Sequence, residues 1–124
     1  MVAAFAPRRI SAEGFGAGIE EKVDRLIDTY GVTGLAGLVG VAKSQPTRWR
    51  QGRERPSVPV VKRLLDLDYL SSRLSEVLTA HQAQVWLSSP NPHLSGSTPA
   101  GVLISFGGQA VEPAVSALEV GAVV

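Results

Sequence analysis

The side chains with the most chemistry to offer are basic, and they are crowded together. Between positions 43 and 63 stand Lys43, Arg48, Arg50, Arg53, Arg55, Lys62 and Arg63 against Glu54 alone, a net charge of +6. Over residues 1–42, Arg8, Arg9, Lys22 and Arg25 face Glu13, Glu20, Glu21, Asp24 and Asp28, a net of −1. Over residues 64–124, Arg73 faces Asp66, Asp68, Glu76, Glu112 and Glu119, a net of −4, so the chain of 124 residues reaches only +1. A basic block between acidic regions is the pattern of one element facing phosphate, although charge alone would equally suit a solvated basic loop. Other chemistry finds few reagents. There is no cysteine, hence no disulfide framework and no thiolate metal site. His81 and His93 lie twelve positions apart with no acidic cluster beside them, too little for zinc. No carboxylate pair, phosphate-cradling glycine loop or histidine-activated nucleophile is evident, and Gly14-Phe-Gly-Ala-Gly18 follows no strand. The expectation is a binding protein, not an enzyme, with no cofactor.

The elements that would position the basic block read as helices throughout. Residues 1–18 lack periodicity and are expected to form a flexible lead. Apolar residues at 19, 23, 26, 27 and 30 define one helix face, with Gly31 as its stop. A short helix is expected over 33–39 with Thr33 as N-cap, broken by Gly40. Another is expected over 44–51 with Ser44 as N-cap, Pro46 in the first turn and Gly52 at the end. Residues 53–59 read as a loop, and 61–78 as a long amphipathic helix. Thr79 is placed to cap a helix carrying Val85, Trp86 and Leu87, which Pro90 and Pro92 end. Thr98-Pro99 starts the next helix, Gly107-Gly108 breaks it, and a last one covers 111–120 before an apolar, unpatterned tail. Composition suits a folded soluble chain, no run is long enough to span a membrane, and Pro7-Arg8-Arg9 spoils a secretory signal. A cytoplasmic location is expected.

Within the first half, Ala36 and Gly40 have the spacing of a helix–turn–helix: a small residue where two helices cross, then a glycine in the tight turn. Trp49 is placed to anchor the second helix, leaving Lys43, Ser44, Gln45, Thr47, Arg48, Arg50, Arg53 and Arg55 as the residues expected to meet DNA. The run Leu35-Ala36, Gly40-Val41-Ala42, Ser44-Gln45, Arg48-Trp49, Gly52 and Arg55-Pro56-Ser57 resembles the Xre (lambda-repressor-like) helix-turn-helix family over roughly residues 19–65. Pro46 departs from it, standing where a branched aliphatic is usual. That substitution is expected to fill less of the core and to put DNA affinity, more than the fold, in question.

The second half resembles a different module. Leu74 to Leu78, Gln82-Ala-Gln-Val-Trp-Leu87, Ser89-Pro-Asn-Pro92, Leu94, Gly96, Thr98-Pro99 and Gly121 follow the order of the toxin-binding domain of the MbcA/ParS/Xre antitoxin family. Ser95 departs from it, standing where a second glycine is common. Read from its residues, this segment is an aromatic, Trp86, on a rigid turn in which Asn91 bonds back to the backbone, and a purely structural role suits both. The resemblance implies an all-α fold: a flexible lead (1–18), an Xre-like helix-turn-helix domain (19–65) and a small helical toxin-binding domain with its tail (66–124). It implies an antitoxin of a type II system that neutralises a RES-domain, NAD-degrading toxin and represses its own operon. Trp86, Asn91, Pro92 and the tail Val120, Gly121, Ala122, Val123 and Val124 would meet the toxin, the apolar tail with its carboxylate entering the NAD cleft. Expected partners are the toxin, operator DNA and a second copy of the chain or a larger toxin–antitoxin assembly. The alternative is a stand-alone Xre-type repressor whose C-terminal half only dimerises.

Overall fold

From Ile19 onward, glycines and capping residues punctuate a chain whose apolar periodicity is helical. The computed structural model describes residues 14–123, and all of its regular elements are helices. Helix α1 is Gly14–Val39, bent at Gly31, whose backbone is non-helical at φ 78°, so that two arms, 14–30 and 32–39, meet at an angle. That bend is where the sequence places a stop, because a left-handed φ suits glycine. Helix α2 is Gln45–Arg50, α3 Val58–Leu74, α4 Ala80–Leu87, α5 Pro99–Phe106 and α6 Glu112–Val123. Short 3₁₀ turns at Pro92–Leu94 and Gly108–Val111 precede α5 and α6 respectively.

The helix boundaries correct several sequence expectations. Gly14 to Gly18, expected in a flexible lead, belong to α1, and the rest of that lead lies outside the described residues. Thr33 already has helical backbone in the first turn of the arm 32–39, so it is not that arm's N-cap. Helix α3 starts three residues before the expected Val61, because Pro59 fits the first turn, where no N–H is needed. It ends at Leu74, and the residues up to Leu78 form turns instead of a further helical turn. The last helix continues through Val123, so the segment expected as an unpatterned tail is helical to that point.

The caps of the second half follow the sequence closely. Thr79 and Gln82 form a reciprocal capping box at the start of α4. The Thr98 hydroxyl accepts from the Gly101 N–H at 3.0 Å to begin α5. Between them, Ser95 has φ 58° and Gly96 φ 86°, consecutive left-handed residues. A left-handed φ is costly for a residue with a Cβ, so Ser95 carries strain that glycine would not. Ser95→Gly is expected to stabilise the protein by about 0.5–1 kcal/mol, the relieved clash exceeding the added freedom of the unfolded chain. A higher urea midpoint at unchanged slope would show it.

Packing joins the two halves. One cluster of buried side chains runs from Ile19, Val23, Leu26 and Tyr30 through Leu35, Val39 and Trp49 to Leu64, Leu67, Leu70, Leu74, Leu87, Leu103, Val111 and Val115. Helix α3 packs against both α1 and α5. The residue-65 boundary drawn in the sequence falls inside α3.

Candidate nucleic-acid and partner interfaces

The arm 32–39, the turn through Gly40 and helix α2 form a helix–turn–helix. The Ala36 carbonyl accepts from the N–H groups of Gly40 at 2.9 Å and Val41 at 3.0 Å, closing the first helix. Gly40 has φ 75°, a conformation that favours glycine, and a Cβ there would stand a tight 3.0 Å from Ile104 Cδ1. Ile104 belongs to α5: the second half of the chain braces the turn of the first. Trp49 anchors α2 at 6 % exposure, with its Nε1 buried and unbonded. Pro46 is fully buried in the first turn of α2.

The residues expected to read DNA do not all present their polar ends. Lys43, Arg50, Arg53 and Arg55 are exposed, and Thr47 is half-buried. Ser44 lacks the expected cap bond, and its hydroxyl instead accepts from Arg48 Nη1 at 2.7 Å. Arg48 Nε donates to Glu54 Oε1 at 2.6 Å, and Gln45 Nε2 donates to Glu54 Oε2 at 2.8 Å. These donors hold the Glu54 carboxyl below the usual carboxylate range, Arg48 foremost. Elsewhere in the basic block, Lys62 pairs with Asp66 at 2.9 Å, and Arg63 Nη1 donates to the Val39 carbonyl at 3.0 Å, satisfying the end of α1.

The second constellation belongs to the C-terminal half of the chain. Asn91, the one buried polar residue among those described, folds the 89–97 turn around itself. Its Oδ1 accepts from His93 N–H at 2.9 Å, its carbonyl from Leu94 and Gly96, and its N–H donates to the Ser97 carbonyl at 3.0 Å. Trp86 is half-buried against the core and Pro92 is exposed. Helix α6 is held by Arg73 of α3. Its guanidinium grips Glu119 in two-pronged fashion, at 3.0 and 2.6 Å, and also bonds Glu112 and lies over the Tyr69 ring. Val120 and Gly121 follow on the exposed end of α6, Ala122 and Val123 continue the helix, and Val124 lies outside the described residues. Sequence reasoning missed this clamp because its partners are 39 and 46 positions apart.

Arg73 holds the Glu119 carboxyl below its ordinary range, and Glu119 with Glu112 holds the guanidinium above its own. A carboxyl lowered on folding contributes stability above its unfolded value and loses it as pH falls through the native one. Acidification across that window is therefore expected to loosen α6. Arg73→Ala should loosen it at neutral pH, costing about 1 kcal/mol as an exposed ion-pair network does. Amide exchange in α6, faster than in α3, would reveal both effects.

Sequence reasoning also missed an outward apolar stripe. Val58, Leu65 and Tyr69 of α3 lie on the face away from the buried Leu64, Leu67 and Leu70, and Phe106 at the end of α5 is likewise exposed. The spacing 58, 65, 69 is written in the sequence, but an apolar residue there does not show which face of its helix it occupies. A cleft of roughly 420 Å³ between α1, α3 and α4 is ringed by hydroxyls, among them Tyr30, bonded to Ser71 at 2.6 Å. Burial pushes the Tyr30 phenol up.

Residues 74–121, the end of α3 through α6, match the antitoxin Xre/MbcA/ParS C-terminal toxin-binding domain. The mycobacterial cidal antitoxin MbcA of Mycobacterium tuberculosis is 36 % identical over 78 residues, covering 63 % of this chain and 67 % of its own. This chain belongs to the Xre/MbcA/ParS antitoxin family. The MbcA of Mycobacterium bovis matches to the same extent. A chain of the crystal structure of the M. tuberculosis MbcT–MbcA toxin–antitoxin complex superposes with a TM-score of 0.67 at 30 % identity, covering 82 % of this antitoxin and 94 % of that chain. The all-α architecture expected from the sequence is the one observed. Among the described residues, no helix is long and apolar enough to cross a membrane, and no group of three potential metal ligands gathers.

Proposed function

We propose that this antitoxin neutralises a RES-domain, NAD-degrading toxin by covering its active-site cleft with the C-terminal end of α6. It would act in the cytoplasm by binding and not by catalysis. The observation that supports this most is the fit to a chain of a toxin–antitoxin complex over most of both chains, with the toxin-binding domain matched through Gly121. The geometry agrees with the role. An apolar helix end bearing exposed Val120 and Gly121 is held out by Arg73, so little ordering is left to be done on binding. Within this reading Asn91 acts by shaping the turn, while the exposed Pro92 and the outer edge of Trp86 are placed for contact.

The second part of the proposal is autorepression through the helix–turn–helix, most simply as a dimer, since one such unit reads few base pairs. The exposed Lys43, Arg50 and Arg53, with the half-buried Thr47 beside them, would carry the first contacts with phosphate. The test is co-expression with the neighbouring toxin gene in a bacterial host. Full-length antitoxin should restore growth, hold NAD at its normal level and co-purify with the toxin. Growth arrest with no complex would end the antitoxin proposal and leave a stand-alone repressor as the reading.

A further inference from the structure

We propose that Glu54 gates the recognition helix, occupying Gln45 and Arg48 as an internal stand-in for phosphate and so setting how well the protein separates its own site from bulk DNA. The inference rests on the DNA-reading part of the proposed function. Both oxygens of the Glu54 carboxylate are used, Oε1 by Arg48 Nε and Oε2 by Gln45 Nε2. Further bonds also run inward: Gln45 Oε1 accepts from the Ala42 N–H at 3.0 Å, and Arg48 Nη1 donates to the Ser44 hydroxyl at 2.7 Å. Gln45 and Arg48 on α2, and Ser44 just before it, are thus engaged within the protein.

A carboxylate and a phosphate compete for the same guanidinium hydrogens. The Arg48–Glu54 pair is about one-third exposed, with side-chain exposures of 39 % and 34 %, so it contributes little net stability and can open. Opening leaves Glu54 uncompensated beside the DNA backbone. A sequence that offers Arg48 a guanine edge, or Gln45 an adenine edge, compensates for that loss. A sequence that offers phosphate alone does not, and it meets a negative charge. Selectivity then comes from a penalty on the wrong site as much as from contacts at the right one.

The experiment compares full-length protein and the variants Glu54→Gln, Arg48→Ala, Arg50→Ala and Glu54→Gln with Arg48→Ala in gel shifts. The probes are a 40-base-pair duplex from immediately upstream of the gene and a scrambled duplex of the same composition. Glu54→Gln keeps the shape and removes the charge; it should tighten scrambled-duplex binding about tenfold and shrink the preference for the upstream duplex. Arg48→Ala should change scrambled-duplex binding by less than about twofold alone, yet cancel the gain in the Glu54→Gln background. If native protein binds neither duplex and Glu54→Gln binds both, the gate is supported. Native binding that Arg50→Ala abolishes while Glu54→Gln changes nothing overturns the gate and leaves the DNA reading intact. No binding by any variant overturns both.

Discussion

Leu67→Ala should destabilise the whole antitoxin by about 3–4 kcal/mol, because the side chain is fully buried in the middle of α3 and its removal leaves a cavity. Against the 5–15 kcal/mol typical of a folded domain this is a large fraction, and the melting temperature should fall by roughly 10 °C or more. The loss should be felt at both ends of the molecule. Leu67 belongs to a cluster that includes Trp49 behind the recognition helix and Val115 on α6. Calorimetry should show one transition that moves as a unit. Two transitions, of which one stays in place, would mean that the halves fold separately and that the shared core does not couple them.

Removing residues 121–124 should have the opposite profile. The last turn of a helix contributes little to folding, and Gly121 is exposed there, so the melting temperature should hardly change. Toxin affinity, by contrast, should fall about a hundredfold or more, the effect of losing roughly 3 kcal/mol of contacts at the centre of an interface. Toxicity rescue and a binding titration against the purified toxin would check it. A truncated chain that protects as well as the full one would remove the end of α6 from the cleft and move the contact to the Trp86–Pro92 side. The helical course of α6 sharpens the idea: what would enter the cleft is the end of a clamped helix, not an extended tail.

Much of this molecule was legible locally. Gly31, Gly40, Gly107, Thr79 and Thr98 act through backbone conformation and hydrogen bonds within about four residues, so their effect is written beside them in the chain. The turn around Asn91 was readable for the same reason, since the asparagine bonds two residues onward. Helix ends were less readable. Pro59 suits a first helical turn as well as a loop, and only packing decided between them.

The basic block shows where such reading stops. By sequence, residues 43–63 carry +6, and every arginine counts alike. In the fold, Arg48 is engaged by Glu54, Lys62 by Asp66 and Arg63 by the end of α1, so the exposed positive face is narrower than the count suggests. Charges add along a chain without reference to direction, whereas pairing depends on where side chains point. The sequence by itself determined the helical course, the helix–turn–helix and the toxin-binding family, all set by local punctuation and residue order. Only the tertiary structure decided that Glu54 closes the recognition helix, that Arg73 holds α6, and that one core joins the two halves, because each depends on contacts between residues brought together by packing.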